Sequence, residues 1–220
     1  MEVYSIDESF MDFSNVALPK EKALEIRGKV KLWTGIPISI GVAPTKALAK
    51  VANHYAKKYT AEGVLVLEKP SHISRALKKL PVQDLWGVGR RYAKFLSQRG
   101  VVTAYDLVGL DEGWIRRNMT VGGLKLVQEL KGISCFTIQE SLTRKKNICT
   151  ARSFGRKVKS ACELKEAVSA YANTCSEKLR AEGSCASLIT VFLTTNPFDS
   201  SQPQYGGSRK LQLPTPTNDS

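Results

Sequence analysis

The stretch Leu85-Trp-Gly-Val-Gly-Arg-Arg-Tyr-Ala-Lys-Phe-Leu96, closed by Gly100, has the form of a helix–hairpin–helix. An apolar residue leads into Gly-x-Gly, a helix follows with Ala93 four positions after Gly89, and a glycine ends it. Gly87 and Gly89 permit a tight turn and a close approach of another backbone. The helix that starts there offers free N–H groups and the positive end of its dipole to one phosphate. Such a contact holds a nucleic-acid backbone without reading its bases. Arg90, Arg91 and Lys94 add cations beside it. The plain alternative is a glycine turn between two packed helices, and those three cations weigh against it.

Working outward, residues 71–133 show helical patterns broken by glycines and no convincing strand. Upstream, Val3–Phe13 is rich in aromatic and branched residues and reads as a strand. Pro19 suits the first turn of a helix, Ala23, Ile26, Val30 and Trp33 repeat at helical spacing, and Gly35 stops the run. Ile36, Ile38, Ile40 and Val42 alternate as in a strand with one buried face. Ala47–Tyr55 returns to helical period, and Gly63–Leu67 reads as a short buried strand. Residues 1–67 thus alternate strand and helix, an α/β unit. Downstream, 142–150 reads as a polar, basic linker and Ala151–Val158 as a strand. Leu164, Val168, Tyr171, Cys175 and Leu179 mark one face of a long helix that Gly183 ends. Cys185–Thr195 and Lys210–Leu213 read as strands. The fold class is α+β and multidomain, with too few elements in the last unit to cover its own sheet.

The chain carries 33 Lys and Arg against 20 Asp and Glu, a formal charge of +13 over 220 residues. That excess favours a polyanionic partner, usually nucleic acid, and its distribution supports this. Ser141–Ser160 holds Arg144, Lys145, Lys146, Arg152, Arg156, Lys157 and Lys159 with no acid, and Ala43–Tyr59 holds four lysines with no acid. Lys46, Lys50, Asn53 and Lys57 fall on one side of a helix, opposite Leu48, Val51, Ala52 and Tyr55, as a stripe placed to meet phosphates or as an ordinary solvated face. Asp7 and Glu8 are adjacent acids inside an apolar pattern. Neighbouring side chains of a straight strand point to opposite faces, so both can serve one site only if the chain bends there. Carboxylate clusters hold Mg²⁺ in two-metal phosphoryl transfer; a polar hairpin turn is the simpler reading.

The five cysteines lie too far apart for a Cys-x-x-Cys pair and, with only His54 and His72 to add, spell neither a zinc site nor a disulfide framework. They are expected to be reduced and mostly buried. No apolar run approaches the ~20 residues that span a bilayer, and no basic-then-apolar leader is readable. No membrane partner and a cytoplasmic location are the expectations.

The pieces also occur in a known order. Tyr4-Ser-Ile-Asp-Glu-Ser-Phe-Met-Asp12 resembles the second catalytic motif of the Y-family translesion DNA polymerases, and Ser39-Ile-Gly-Val-Ala-Pro-Thr-Lys-Ala-Leu-Ala-Lys-Val-Ala52 their next palm motif. The hairpin resembles that of their thumb, and Ala151-Arg-Ser-Phe-Gly-Arg156 the opening of their little finger. Leu211-Gln-Leu-Pro-Thr-Pro-Thr-Asn-Asp-Ser220 leans toward the UmuC type. The resemblance implies a partial palm over 1–80, an all-α thumb over 81–141, and a linker with a partial α/β little finger over 142–220. It implies error-prone synthesis past damaged template–primer DNA from deoxynucleoside triphosphates, in DNA repair and the SOS response. Asp7 and Glu8 would be catalytic carboxylates on Mg²⁺, and Lys57 would hold the nucleotide's triphosphate. Gly87, Val88 and Gly89, flanked by Arg90, Arg91 and Lys94, would grip the DNA backbone, with Arg152, Arg156 and Lys157 near phosphates further along. A processed UmuD dimer and RecA are the implied protein partners. The family's first metal-binding strand, its fingers, the end of the little finger and the clamp-binding segment have no counterpart in these residues. DNA binding without full catalysis is therefore expected of the chain, and Asp12 is a poor substitute for the missing aspartate. Two other readings are a non-catalytic hairpin module and a hairpin-motif DNA glycosylase using Asp106. A pure binder has no use for the acid pair, and such a glycosylase would be helical on both sides of the motif.

Overall fold

The computed structural model describes residues 1–139, 145–199, 201 and 203–219. The chain is α+β and divides into two compact units, residues 1–141 and 142–220.

In the first unit, β1 (Glu2–Val3) and β2 (Ser9–Phe10) form a two-stranded antiparallel hairpin pairing Glu2 with Phe10 and Val3 with Ser9. The strand expected over Val3–Phe13 is therefore a hairpin, because Ser5–Glu8 turns the chain back, with the Tyr4 and Ser5 N–H groups bonded to the Glu8 carbonyl. Helix α1 (Pro19–Thr34) starts on its proline and ends at Gly35, whose φ of 72° closes a left-handed cap. β3 (Ile40–Val42) and β4 (Val64–Val66) pair in parallel. The strand expected from Ile36 begins only at Ile40, and Ile36 is exposed.

Helix α2 (Lys46–Tyr59) lies on β3 at Gly41. A Cβ on Gly41 would stand 2.1 Å from the Asn53 nitrogen and 2.3 Å from the Ala49 carbonyl oxygen, so only glycine lets helix and strand meet there. Next come α3 (Pro70–Lys79), a 3₁₀ turn (Val82–Asp84), α4 (Arg90–Ser97), α5 (Ala104–Val108) and α6 (Glu112–Leu130). One core runs through them all, from Leu48 and Val51 on α2 to Leu96, Leu107, Ile115 and Leu130. Helix α6 is broken at Thr120, a β-branched residue at φ 65° and ψ −172°.

In the second unit, α7 (Ala161–Ala181) is capped by Ser160, and β5 (Ala186–Thr194) pairs antiparallel with β6 (Gly206–Thr217) across an irregularity between Ala186 and Leu188. Among the described residues, no apolar side chain of this unit is buried; Leu188, Ile189, Phe192 and Leu211 are exposed. Residues 151–158 form no strand, since β5 and β6 pair only with each other and leave that segment without a ladder. Of the basic run, residues 141–144 lie outside the described residues. The cysteines are free, and the expectation of burial is corrected: Cys135 and Cys175 are half-buried and the other three exposed. No helix among the described residues is long and apolar enough to cross a membrane.

Candidate nucleic-acid interface

The acid pair sits at the bend of the first hairpin. The Tyr4 and Ser5 N–H groups both donate to the Glu8 carbonyl at 3.0 Å, which folds Ser5–Glu8 into a turn. Asp7 is exposed and accepts from the Ser5 hydroxyl at 2.6 Å. Glu8 pairs with Lys50 on α2 at 2.5 Å. One turn earlier Lys46 pairs with Glu2 at 2.5 Å, donates to the Thr137 carbonyl at 2.8 Å, and lies 5.0 Å from the Phe10 ring centre. The Lys46 hydrogen bond, then the Gln139 N–H, holds the Glu2 carboxyl below the usual glutamate range. The stripe read from the sequence is thus divided. Lys46 and Lys50 tie α2 to the hairpin, and Lys57 is exposed with no ion pair among the described residues. Between them, the buried amide oxygen of Asn53 finds no partner among the described residues.

The start of α2 is held from the far end of the unit. Thr45 caps the helix by accepting from Leu48 N–H and donates its hydroxyl to the Glu129 carbonyl at 2.8 Å. The Glu129 side chain, fully buried, accepts from three backbone N–H groups: Ala47 at 3.0 Å, Cys135 at 2.6 Å and Phe136 at 2.9 Å. Donors of this kind satisfy a buried carboxylate without a cation. Nothing in the local sequence marks Glu129, because its partner Ala47 lies 82 residues away.

At the second hairpin, Gly87 takes φ 88°, a conformation glycine allows. Val88 is buried and donates its N–H to Leu85. Gly89 is extended and caps α4, and a Cβ there would meet open space. Its conformation does not require glycine, and the space beside it is open. Arg90, Arg91 and Lys94 are exposed with no carboxylate partner among the described residues. The two hairpins meet: Trp86 Nε1 donates to the Tyr4 hydroxyl at 3.1 Å, and Trp86 lies edge-on to Tyr4 and Phe136 and tilted against Phe10. This aromatic cluster was not singled out from the sequence, although Tyr4 and Trp86 stand inside the two motifs that were.

In the second unit Arg152 is exposed, while Arg156 pairs with Glu163 at 3.0 Å and Lys157 with Asp199 at 3.2 Å. Asp106 belongs to a capping box with Thr103 and also accepts from Val102 N–H. Those bonds lower its pKa and occupy it structurally, which removes the observation behind a glycosylase. Asp12 is engaged by Ser14.

Two family descriptions match: the impB/mucB/samB family over residues 1–54 and its C-terminal domain over 145–220. Protein UmuC of Salmonella typhimurium is 40% identical over the whole of this chain. The chain belongs to the UmuC type of the Y-family DNA polymerases. Protein ImpB of Salmonella typhimurium is 36% identical over the whole chain, and DNA polymerase IV 1 of Bacillus subtilis is 33% identical over 60% of it and 32% of that relative. This UmuC-type chain spans about half the length of the curated relatives it matches along its whole length, 53% of each of the first two. A solved Y-family DNA polymerase chimera superposes on 98% of the chain and 60% of its own with a TM-score of 0.66; at 21% identity it speaks for the fold.

Family membership implies a divalent metal. Among the described residues no three His, Cys, Asp or Glu side chains stand together as a ligand set, and Glu8 is already neutralised by Lys50. Asp7 and Glu8 by themselves do not make a metal site.

Proposed function

We propose that this chain carries the primer–template-gripping part of an error-prone translesion DNA polymerase, with residues 1–80 as palm, 81–141 as thumb and 142–220 as linker and little finger. The observation that carries the reading is the junction of the two hairpins. The turn bearing Asp7 and Glu8 is joined through Tyr4 and Trp86 to the hairpin in which the open Gly89 caps a helix bearing exposed Arg90, Arg91 and Lys94. Gly87, Val88, Gly89 and the first turn of α4 would take one DNA phosphate, and Arg90, Arg91 and Lys94 its neighbours. Lys57 would hold a nucleotide triphosphate, and Arg152, Arg156 and Lys157 would add phosphate contacts. Asp7 and Glu8 are this chain's share of the carboxylates in a magnesium-dependent enzyme of the relatives' full length. Damaged template–primer DNA, deoxynucleoside triphosphates, a UmuD-type dimer and RecA belong to the same proposal.

The test is fluorescence anisotropy with a labelled duplex. The expected result is sequence-blind binding that weakens by roughly three decades between 50 and 200 mM salt, as neutralising several phosphates requires. Flat affinity across that range, or strong preference for one sequence, would overturn the reading.

A further inference from the structure

A cavity of about 480 Å³ opens where the two hairpins meet; Tyr4, Trp86, Tyr92, Met119, Leu126 and Phe136 line it together with Thr120 and three glycines. The volume is within the range of small-ligand clefts, ~300–1,000 Å³. Four of the ten lining residues are aromatic and two more, Met119 and Leu126, are apolar. The ring pairs Tyr4–Trp86 and Trp86–Phe136 are edge-on, at 71° and 84°, so neither is a parallel stack. The Trp86 N–H is spent on the Tyr4 hydroxyl, so the polar atoms left on the walls are the Tyr4, Tyr92 and Thr120 hydroxyls, too few and too scattered to match the edge of one particular base. Tyr92 also walls a neighbouring cavity of about 410 Å³, completed by Arg91, Phe95 and Asn118. No carboxylate lines either space. An apolar aromatic slot beside a guanidinium fits a flat ring carried on an anionic backbone.

We propose that this slot stacks one unpaired nucleobase of the strand whose phosphates the Gly87–Gly89 hairpin grips. The inference rests on the DNA-binding reading above and goes beyond it by giving the grip a base-dependent, sequence-tolerant component. Aromatic faces accept any base, whereas the phosphate contacts accept any backbone. The two components also differ in salt response, because stacking releases no counterions.

The experiment uses the whole chain and two labelled duplexes, one with a single unpaired adenine and one with an abasic residue at that position. The adenine duplex is expected to bind about fivefold or more tightly, the lower end of what stacking on aromatic side chains gives. That ratio should hold from 50 to 200 mM salt while both affinities fall together. Phe136→Leu keeps an apolar wall and should erase the ratio without weakening the abasic duplex. A second readout needs no change in the pocket: with Trp33→Phe and Trp114→Phe, Trp86 is the single tryptophan, and its emission should be quenched by the adenine duplex and not by the abasic one. Equal affinities, with steep salt dependence in both, would overturn the pocket and leave the DNA-binding reading standing. Binding of neither duplex would overturn both. Quenching of Trp86 by free deoxyadenosine monophosphate as readily as by the adenine duplex would overturn the assignment to a base within a strand.

Discussion

Two residues show how an ordinary side chain takes on a structural role through its surroundings. Glu129 is fully buried yet holds no cation; three backbone N–H groups satisfy it, one of them in the first turn of α2. Glu129→Gln keeps the shape and turns one acceptor into a donor facing a donor. A loss of about 2–3 kcal/mol is expected, the cost of burying unsatisfied polar groups, measured as a lowered urea midpoint. An unchanged midpoint would show that the carboxylate is not holding α2. His54 is half-buried on α2, and burial first, then the charge of Lys58, keeps its pKa below the ordinary 6.5, with Asp84 opposing. The unfolded chain therefore takes a proton that the folded chain refuses. The stability tied to neutral His54 is fully present above about pH 6.5 and is lost as pH falls toward the lower folded value. Urea midpoints at pH 7.5 and 5.5 should differ less in His54→Gln than in the unaltered chain.

At the scale of elements, α6 is the informative one. Its break at Thr120 places a β-branched residue in a region of φ and ψ that is essentially reserved for glycine, at a cost on the order of 1–3 kcal/mol. Glycine would relieve that strain and give up the weak 3.3 Å bond from Gly122 N–H to the threonine hydroxyl. Thr120→Gly is expected to raise stability by about 1 kcal/mol net of the glycine's extra chain entropy. A fall in the urea midpoint would mean that the hydroxyl, not the backbone, governs this site. Helix α2 shows the opposite case, a helix positioned by its contacts: Gly41 sets its distance from β3, and Thr45 with Glu129 sets where it begins.

For the molecule as a whole, the first unit joins an acidic turn, a lysine-bearing helix and a glycine hairpin over one core, whereas the second presents a mostly exposed two-stranded sheet. The proposed roles separate cleanly by mutation. Gly89→Asp introduces no clash, and aspartate is a favoured helix cap, so folding stability should hold or rise. The same change puts an acid where a phosphate would sit, and DNA affinity without nucleotide should fall about tenfold or more. Lys57→Ala should leave that affinity within about twofold, since its proposed ligand is the triphosphate. Equal losses in the two variants, read by anisotropy alongside urea midpoints, would show the roles misassigned.

The sequence by itself determined the local elements and the motifs. Pro19 and Gly35 bound α1, apolar spacing marks α2 and α7, and Gly87 sits where the chain needs a left-handed turn, because these signals act over a few residues. It also carried the family, since the quoted motifs keep their order along the chain. What it left open depended on partners distant along the chain. Lys46 and Lys50 looked like a free stripe until the fold brought Glu2 and Glu8 across from residues 44 and 42 positions away. Residues 151–158 have the composition of a strand and lack the neighbour that would make one. Tyr4 and Trp86 are 82 residues apart, and only the meeting of the two hairpins in the fold sets their rings around one cavity. Periodicity reports which face of a segment is apolar; which other segment covers it is decided by packing, and there the tertiary structure had the last word.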